Sequence, residues 1–203
     1  MNVSYWLARR FYRLFARALF NYRVIGEENL SLPGGALIAC NHASFLDPPF
    51  AGMAFEEQIY YLARKTLFKR PVAGAILRSW NSIPVDQERP DMTSLKTVIR
   101  RLREGKKVLV FPEGQRSFDG KLLPGLPGIG LIVVKSGVPV IPVRIFGTHE
   151  ALPRGGRSFH PAEITLVCGQ PWHCELLPHG ADDRELYRRT SEEIMQRISD
   201  LHL

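Results

Sequence analysis

The sequence predicts a single α/β domain. Apolar runs of strand length at residues 36–40, 59–63, 107–111 and 138–146 alternate with segments of helical periodicity. The run at 36–40 is apolar at every position rather than at every second one, the pattern of a central strand covered on both faces. The 203 residues are 45% hydrophobic and 23% charged, ordinary values for a globular chain that buries roughly 70% of its unfolded surface. No internal repeat and no interdomain linker interrupts the alternation.

Residues 4–22 read as the first helix. Leu7, Phe11, Leu14, Phe15 and Ala18 recur at helical spacing, joined by Tyr5, Trp6, Leu19, Phe20 and Tyr22. Arg9, Arg10, Arg13 and Arg17 are interleaved with them, and no acidic residue precedes Glu27. Interfacial aromatics with arginines and no acids describe a helix lying in an anionic membrane surface. The alternative is an amphipathic helix packed on the protein's own core, which would leave the arginines short of partners. The same stretch has neither an uninterrupted apolar segment nor a small-residue cleavage site, so a cleavable signal peptide is not expected. No apolar stretch reaches the roughly 18 residues of a membrane span.

Residues 24–32 read as a short strand and turn, broken by Pro33-Gly34-Gly35. After the strand at 36–40 comes Asn41-His42-Ala43-Ser44-Phe45-Leu46-Asp47-Pro48, with Asp47 expected at a helix N-cap and Pro48 at the first helical position. A strand at 59–63 follows, then Arg64 and Lys65, a helix at 68–80 interrupted by Pro71, and an extended segment at 82–86. Residues 92–103 form an amphipathic helix with Leu95, Val98, Ile99 and Leu102 inside, closed by Gly105. The strand at 107–111 runs into Pro112-Glu113-Gly114-Gln115-Arg116-Ser117. A Gly/Pro-rich stretch at 123–130 overlaps a helix from 127 to 135 that stops at Gly137. Pro139 and Pro142 mark the strand at 138–146 as irregular or close to a sheet edge. Residues 153–157 are a surface loop and 162–168 a strand. Asp182 and Glu185 make a capping box for the last helix, whose Leu186, Ile194, Ile198 and Leu201 form one apolar stripe.

Net charge is +7, which attracts anions: phosphorylated small molecules, acidic carrier proteins, anionic headgroups or nucleic acid. No base-reading or stacking motif supports nucleic acid. Three scattered cysteines, Cys40, Cys168 and Cys174, form neither a disulfide framework nor a zinc pattern. Cys40 reads as a small buried strand residue, the alternative being a nucleophile.

His42 stands where a strand ends and Asp47 where the next helix begins, the region in which α/β sites gather. A histidine whose other ring nitrogen is held by a carboxylate can act as general base near neutral pH. Ser44 is nearby, but no nucleophile-elbow pattern surrounds any serine. The pair therefore fits a base that activates a substrate hydroxyl, against the alternative of a helix cap beside a polar turn residue. Glu113 and Arg116 follow a second strand. Arginine suits bidentate phosphate recognition, and Gly114 permits close backbone approach. The alternative for Glu113 and Arg116 is a structural ion pair.

These residues carry a family resemblance. Asn41-His42-Ala43-Ser44-Phe45-Leu46-Asp47 resembles the first motif of glycerolipid acyltransferases of the 1-acyl-glycerol-3-phosphate acyltransferase type. Phe111-Pro112-Glu113-Gly114-Gln115-Arg116-Ser117 is similar to their third motif, with Gln115 where threonine is usual. Ser82-Ile83-Pro84-Val85-Asp86-Gln87 resembles the second, with Gln87 in place of its arginine and Arg89 two residues on. Val138-Pro139-Val140-Ile141-Pro142-Val143 resembles the fourth. The resemblance implies a mixed central sheet flanked by helices, with residues 1–23 as a membrane-surface helix and 24–203 as the acyltransferase domain. It implies His42 as base on the hydroxyl of a lysophospholipid, with Asp47 orienting it. Glu113, Gly114, Arg116 and Arg89 would bind the glycerol phosphate, and Val140 and Pro142 would line an acyl site. Arg64 and Lys65, with Lys69 and Arg70, would meet the phosphates of acyl-coenzyme A or an acidic acyl-carrier protein. No metal or prosthetic group is expected, and the place of action is the cytoplasmic face of the cell membrane. Glycerol-3-phosphate or a lysophospholipid with a larger headgroup is the rival acceptor. An inert membrane-binding protein of the same fold is the rival of another class.

Overall fold

A computed structural model describes residues 3–86, 92–174 and 183–203. In chain order the elements are α1 (Val3–Phe20), β1 (Arg23–Ile25), β2 (Ala36–Cys40), α2 (Asp47–Gly52), β3 (Tyr60–Arg64), α3 (Pro71–Ser79), β4 (Ser82–Val85), α4 (Met92–Arg103), β5 (Lys107–Val110), α5 (Pro127–Ser136), β6 (Val140–Phe146), α6 (Thr148–Ala151), β7 (Thr165–Cys168) and α7 (Asp183–Ser199). Single 3-10 turns occupy Glu27–Ser31 and Lys65–Lys69. The strands form one seven-stranded sheet in the order β1-β7-β6-β2-β5-β3-β4. Every neighbouring pair is parallel except β6 with β7. The sheet is mixed and sandwiched between helices, as expected.

Alternate residues of the central strands feed two cores. Ile38, Cys40, Leu109, Ile141 and Val143 pack with Ala16 and Phe20 of α1 and Phe50 and Ala51 of α2. Leu37, Ala39, Val108, Val110 and Val140 pack on the other face with Val98 and Leu102 of α4, Ile129 and Ile132 of α5, and Ile194 and Ile198 of α7. This two-sided burial is why β2 is apolar at every position and β5 at every position after Lys107. The chain leaving β2 crosses to one face and the chain leaving β5 to the other, so a crevice opens between their carboxyl ends.

Several boundaries differ from the sequence reading. The first helix stops at Phe20 because Asn21 takes a positive φ of 43°, a conformation that ends a helix. The helix expected over 68–80 begins only at Pro71, behind the 3-10 turn. Asp47 is the first residue of α2 rather than its N-cap, which is Leu46. The strand containing Pro142 lies inside the sheet, not near an edge. Pro142 shares its parity with Val140, whose N–H bonds the Trp172 carbonyl. The position without an N–H therefore faces the side where β7 has already ended at Cys168. Asp182 of the expected capping box lies outside the described residues.

α1 rests on the protein by Tyr5, Ala16 and Phe20. Arg9 donates to the Met53 carbonyl at 3.2 Å and Arg13 to Glu27 at 3.0 Å. Two of its arginines thus do find protein partners, which the sequence reading did not foresee. Its apolar stripe points the other way: Leu7, Phe11, Leu14 and Leu19 are exposed, Leu14 by 72%. Among the described residues no helix is long and apolar enough to cross a membrane.

Candidate active site

The site is built on the ends of β2 and β5, which run parallel with Ala39 paired to Val110. Beyond β2 the chain is braced by Asn41. Its buried amide accepts the N–H of Ile145 at 2.7 Å and donates to the carbonyl of the same residue at 3.1 Å. On the other side the His42 N–H donates to Glu113 Oε1 at 2.8 Å, and the His42 carbonyl accepts the Ser117 N–H at 2.8 Å. The main chain at His42 is therefore held from both flanks.

The loop from His42 to Asp47 closes on one oxygen. Asp47 Oδ2 lies 2.7 Å from His42 Nδ1 and accepts the N–H groups of Ala43 and Ser44, each at 2.7 Å. Asp47 is fully buried, and the imidazole is stacked on Phe111 with ring centroids 4.0 Å apart. A carboxylate at Nδ1 favours the tautomer with the proton on that nitrogen, leaving Nε2 as acceptor. No group among the described residues hydrogen-bonds Nε2. Ser44 is no nucleophile: its Oγ donates to the Leu152 carbonyl at 2.7 Å and accepts the Leu46 N–H at 3.1 Å. Cys40 is wholly buried in β2, and burial pushes its thiol pKa well up, which keeps it from becoming a thiolate.

Glu113 and Arg116 do not pair with each other. Both carboxylate oxygens of Glu113 accept backbone donors, Oε1 from His42 and Oε2 from Leu123 at 3.1 Å. Burial dominates its ionisation and pushes the carboxyl pKa up to about 7, against the lowering pull of those two N–H groups. Gly114 holds a φ of 68°, and a Cβ there would lie 2.4 Å from Leu126 Cδ1. Its freedom serves the tight turn closed by Gly114 N–H to the Phe111 carbonyl. Arg116 lays its guanidinium 3.4 Å from the ring centroid of exposed Phe45, and its buried Nη1 has no partner. Burial lowers its pKa, and the nearby charges of Arg154 and Arg64 lower it further.

The structure thus brings His42, Asp47, Glu113, Gly114 and Arg116 to one edge of the sheet. Arg64 closes β3 at the same edge, where its charge reaches Arg116, and Lys65 opens the following turn. Val140 and Pro142 lie back within the sheet, opposite Leu37 and Ala39, and not beside His42. Arg89 and Gln87 lie outside the described residues. Sequence reasoning gave no role to Asn41, and took the loop carrying Arg154 for plain surface. Only the three-dimensional return of that loop reveals Arg154. Among the described residues no group of three or more His, Cys, Asp or Glu side chains is gathered to hold a metal ion.

A family model described as Acyltransferase matches residues 21–146. The 1-acyl-sn-glycerol-3-phosphate acyltransferase of Bacillus subtilis (strain 168) is 32% identical over 180 residues, 88% of this chain and 87% of that protein. The chain belongs to this acyltransferase family. A plant relative of the acyltransferase, the chloroplastic 1-acyl-sn-glycerol-3-phosphate acyltransferase LPAT1 of Arabidopsis thaliana, is 25% identical over 85% of this chain and 49% of that one. The crystal structure of the 1-acyl-sn-glycerophosphate acyltransferase PlsC from Thermotoga maritima superposes with a TM-score of 0.74 at 31% identity. It covers 96% of this chain and 78% of that chain. The acyltransferase shares with PlsC the single α/β domain described above.

Proposed function

We propose that the acyltransferase makes phosphatidate for phospholipid biosynthesis by acylating the free hydroxyl of 1-acyl-glycerol-3-phosphate. The observation that carries this reading is the presence of two unsatisfied groups on the loops that leave β2 and β5. His42 has Nδ1 fixed by Asp47 at 2.7 Å and an open Nε2, and Arg116 has a buried Nη1 without a partner. A base and a cation at one sheet edge fit an alcohol carried on a phosphate.

In the reaction Nε2 takes the proton of the hydroxyl as its oxygen attacks the thioester carbonyl. A C–O bond forms, and the C–S bond breaks with collapse of the tetrahedral adduct. The imidazolium, steadied by Asp47, returns the proton to the leaving thiolate. No acyl-enzyme is required, since Ser44 and Cys40 are both occupied structurally. Glu113 acts by positioning the His42 main chain, because a carboxylate engaged by two N–H groups is no ligand for a phosphate. The donor is acyl-coenzyme A or acyl-carrier protein, whose phosphates or acidic surface meet Arg64 and Lys65. Residues 1–23 lie on the cytoplasmic face of the membrane with the Leu7, Phe11 and Leu14 stripe in the lipid. Residues 24–203 form the catalytic domain.

The test is acceptor profiling with purified protein, labelled acyl-coenzyme A or acyl-carrier protein, and a panel of lysolipids with glycerol-3-phosphate. Transfer to 1-acyl-glycerol-3-phosphate is expected to dominate. His42→Ala should lose at least about a hundredfold in kcat with an unchanged circular dichroism spectrum. Preference for another acceptor, or near-normal turnover by the variant, overturns the corresponding part of the reading.

A further inference from the structure

The segment following α6 is fastened to both loops of the site. Leu152 takes the Ser44 hydroxyl at 2.7 Å, and Arg154 Nη1 donates to the Arg116 carbonyl at 2.5 Å. Around Arg154 the chain turns tightly, Gly156 N–H closing on the Pro153 carbonyl at 2.9 Å with Gly155 at a φ of 87°. Arg154 thus sits on a tight turn and leans over the Glu113 to Ser117 loop. Its guanidinium lies 3.8 Å from the ring centroid of Phe118, much as that of Arg116 lies on Phe45. Both rings are exposed.

Two arginines joined through one backbone carbonyl, each stacked on an aromatic face, leave guanidinium edges available for ligands. Among the described residues neither has a carboxylate within ion-pair distance. The one nearby carboxylate that acts on Arg116, Asp47, is spent on His42 and two N–H groups. Arg154 and Arg116 also repel each other, an arrangement that a bound anion of more than one charge relieves. A phosphomonoester has three terminal oxygens and close to two negative charges at neutral pH, its second ionisation falling near pH 6. A phosphodiester has one charge and one fewer unesterified oxygen to offer a pair of guanidinium forks.

We propose that Arg154 is the second phosphate ligand of the acceptor site, forming with Arg116 a clamp that selects a phosphomonoester over a diester or uncharged headgroup. This rests on the acceptor reading given above and names its specificity determinant. The clamp comes from two distant loops, so it forms only when the segment after α6 is docked on Ser44.

The test uses the full chain in mixed micelles with one acyl donor. Its acceptors are 1-acyl-glycerol-3-phosphate, 1-acyl-glycerophosphoglycerol and 1-monoacylglycerol. Arg154→Gln is expected to raise KM for the monoester about ten- to a hundredfold, with kcat held within about threefold. Selectivity for monoester over diester should fall by the same factor, and Arg154→Lys should recover part of it. The decrease of KM as pH rises through the second phosphate ionisation should flatten in Arg154→Gln. Equal changes for all three acceptors would reduce Arg154 to a loop fastener and overturn the proposal, as would unchanged selectivity. Calorimetric titration with glycerol-3-phosphate against glycerol separates the two readings. Arg154-dependent phosphate binding without transfer to 1-acyl-glycerol-3-phosphate sinks the acceptor reading and keeps the clamp. Transfer with Arg154-independent selectivity does the reverse.

Discussion

Replacing Glu113 by Gln separates the two consequences of burying that carboxyl. The group is 4% exposed and titrates at about 7 instead of 4.5, chiefly because burial penalises its charge. Below pH 4.5 it is neutral in both folded and unfolded chains, and its burial has no ionisation penalty. Between 4.5 and about 7 the unfolded chain releases the proton while the folded protein keeps it. Stability is therefore fully present at low pH and is lost as pH rises through the folded value, by about 3 kcal/mol in all. Gln does not ionise, so its contribution stays level over the same interval. The amide still accepts one of the N–H groups of His42 and Leu123 but turns a donor toward the other, a cost of about 1–3 kcal/mol. Wild type should thus be the more stable at pH 5, and the two proteins should converge by pH 8. Urea unfolding of both at half-unit pH steps, in one detergent, measures the difference. Parallel curves from pH 5 to 8 would refute the argument. Kinetics supply a second reading: loosening the His42 main chain lowers kcat, whereas loss of a phosphate ligand would raise KM for the acceptor.

Asp47→Asn keeps an acceptor for the Ala43 and Ser44 N–H groups but removes the charge that steadies the imidazolium. It should lower kcat by roughly 10²- to 10⁴-fold with an unchanged circular dichroism spectrum; turnover within fivefold of wild type in a single-turnover assay would dismiss Asp47 as the orienting group. Phe11→Glu with Leu14→Glu alters two side chains that touch little of the protein, being 66% and 72% exposed. Partitioning onto anionic vesicles in a sedimentation assay should fall at least about tenfold with helicity kept. Unchanged partitioning would return α1 to a purely structural role.

Much of the architecture is legible because burial on both faces writes itself plainly. The uninterrupted apolar run that became β2, and the apolar residues that follow Lys107 in β5, mark buried strands plainly. The helix of Met92–Arg103 ends where expected because its period and Gly105 agree. Pro142 misleads because a sequence shows a missing N–H but not which neighbouring strand has ended beside it. His42 and Asp47 are readable as a pair because a short turn joins them. Glu113 is not readable in the same way: its partners are the backbone of His42, 71 positions away, and of Leu123. Nothing in a list of side chains announces a main-chain partner. Arg154 is hidden for a related reason. It reaches Arg116 across 38 positions, from a stretch whose glycines and proline say only that the chain turns.

Asn41 and Glu113 give the histidine an unusual mounting. Past Cys40, β2 no longer pairs by strand-to-strand bonds on both sides. An amide bonds to Ile145 on one flank, and a carboxylate bonds to the His42 N–H on the other. The sheet is in effect extended by side chains, one of them titratable near neutrality. The main chain at His42 is therefore held by two replaceable side chains, together with the Ser117 N–H on its carbonyl. Exchanging either one would loosen the mounting of His42 while leaving the strand register beneath it in place.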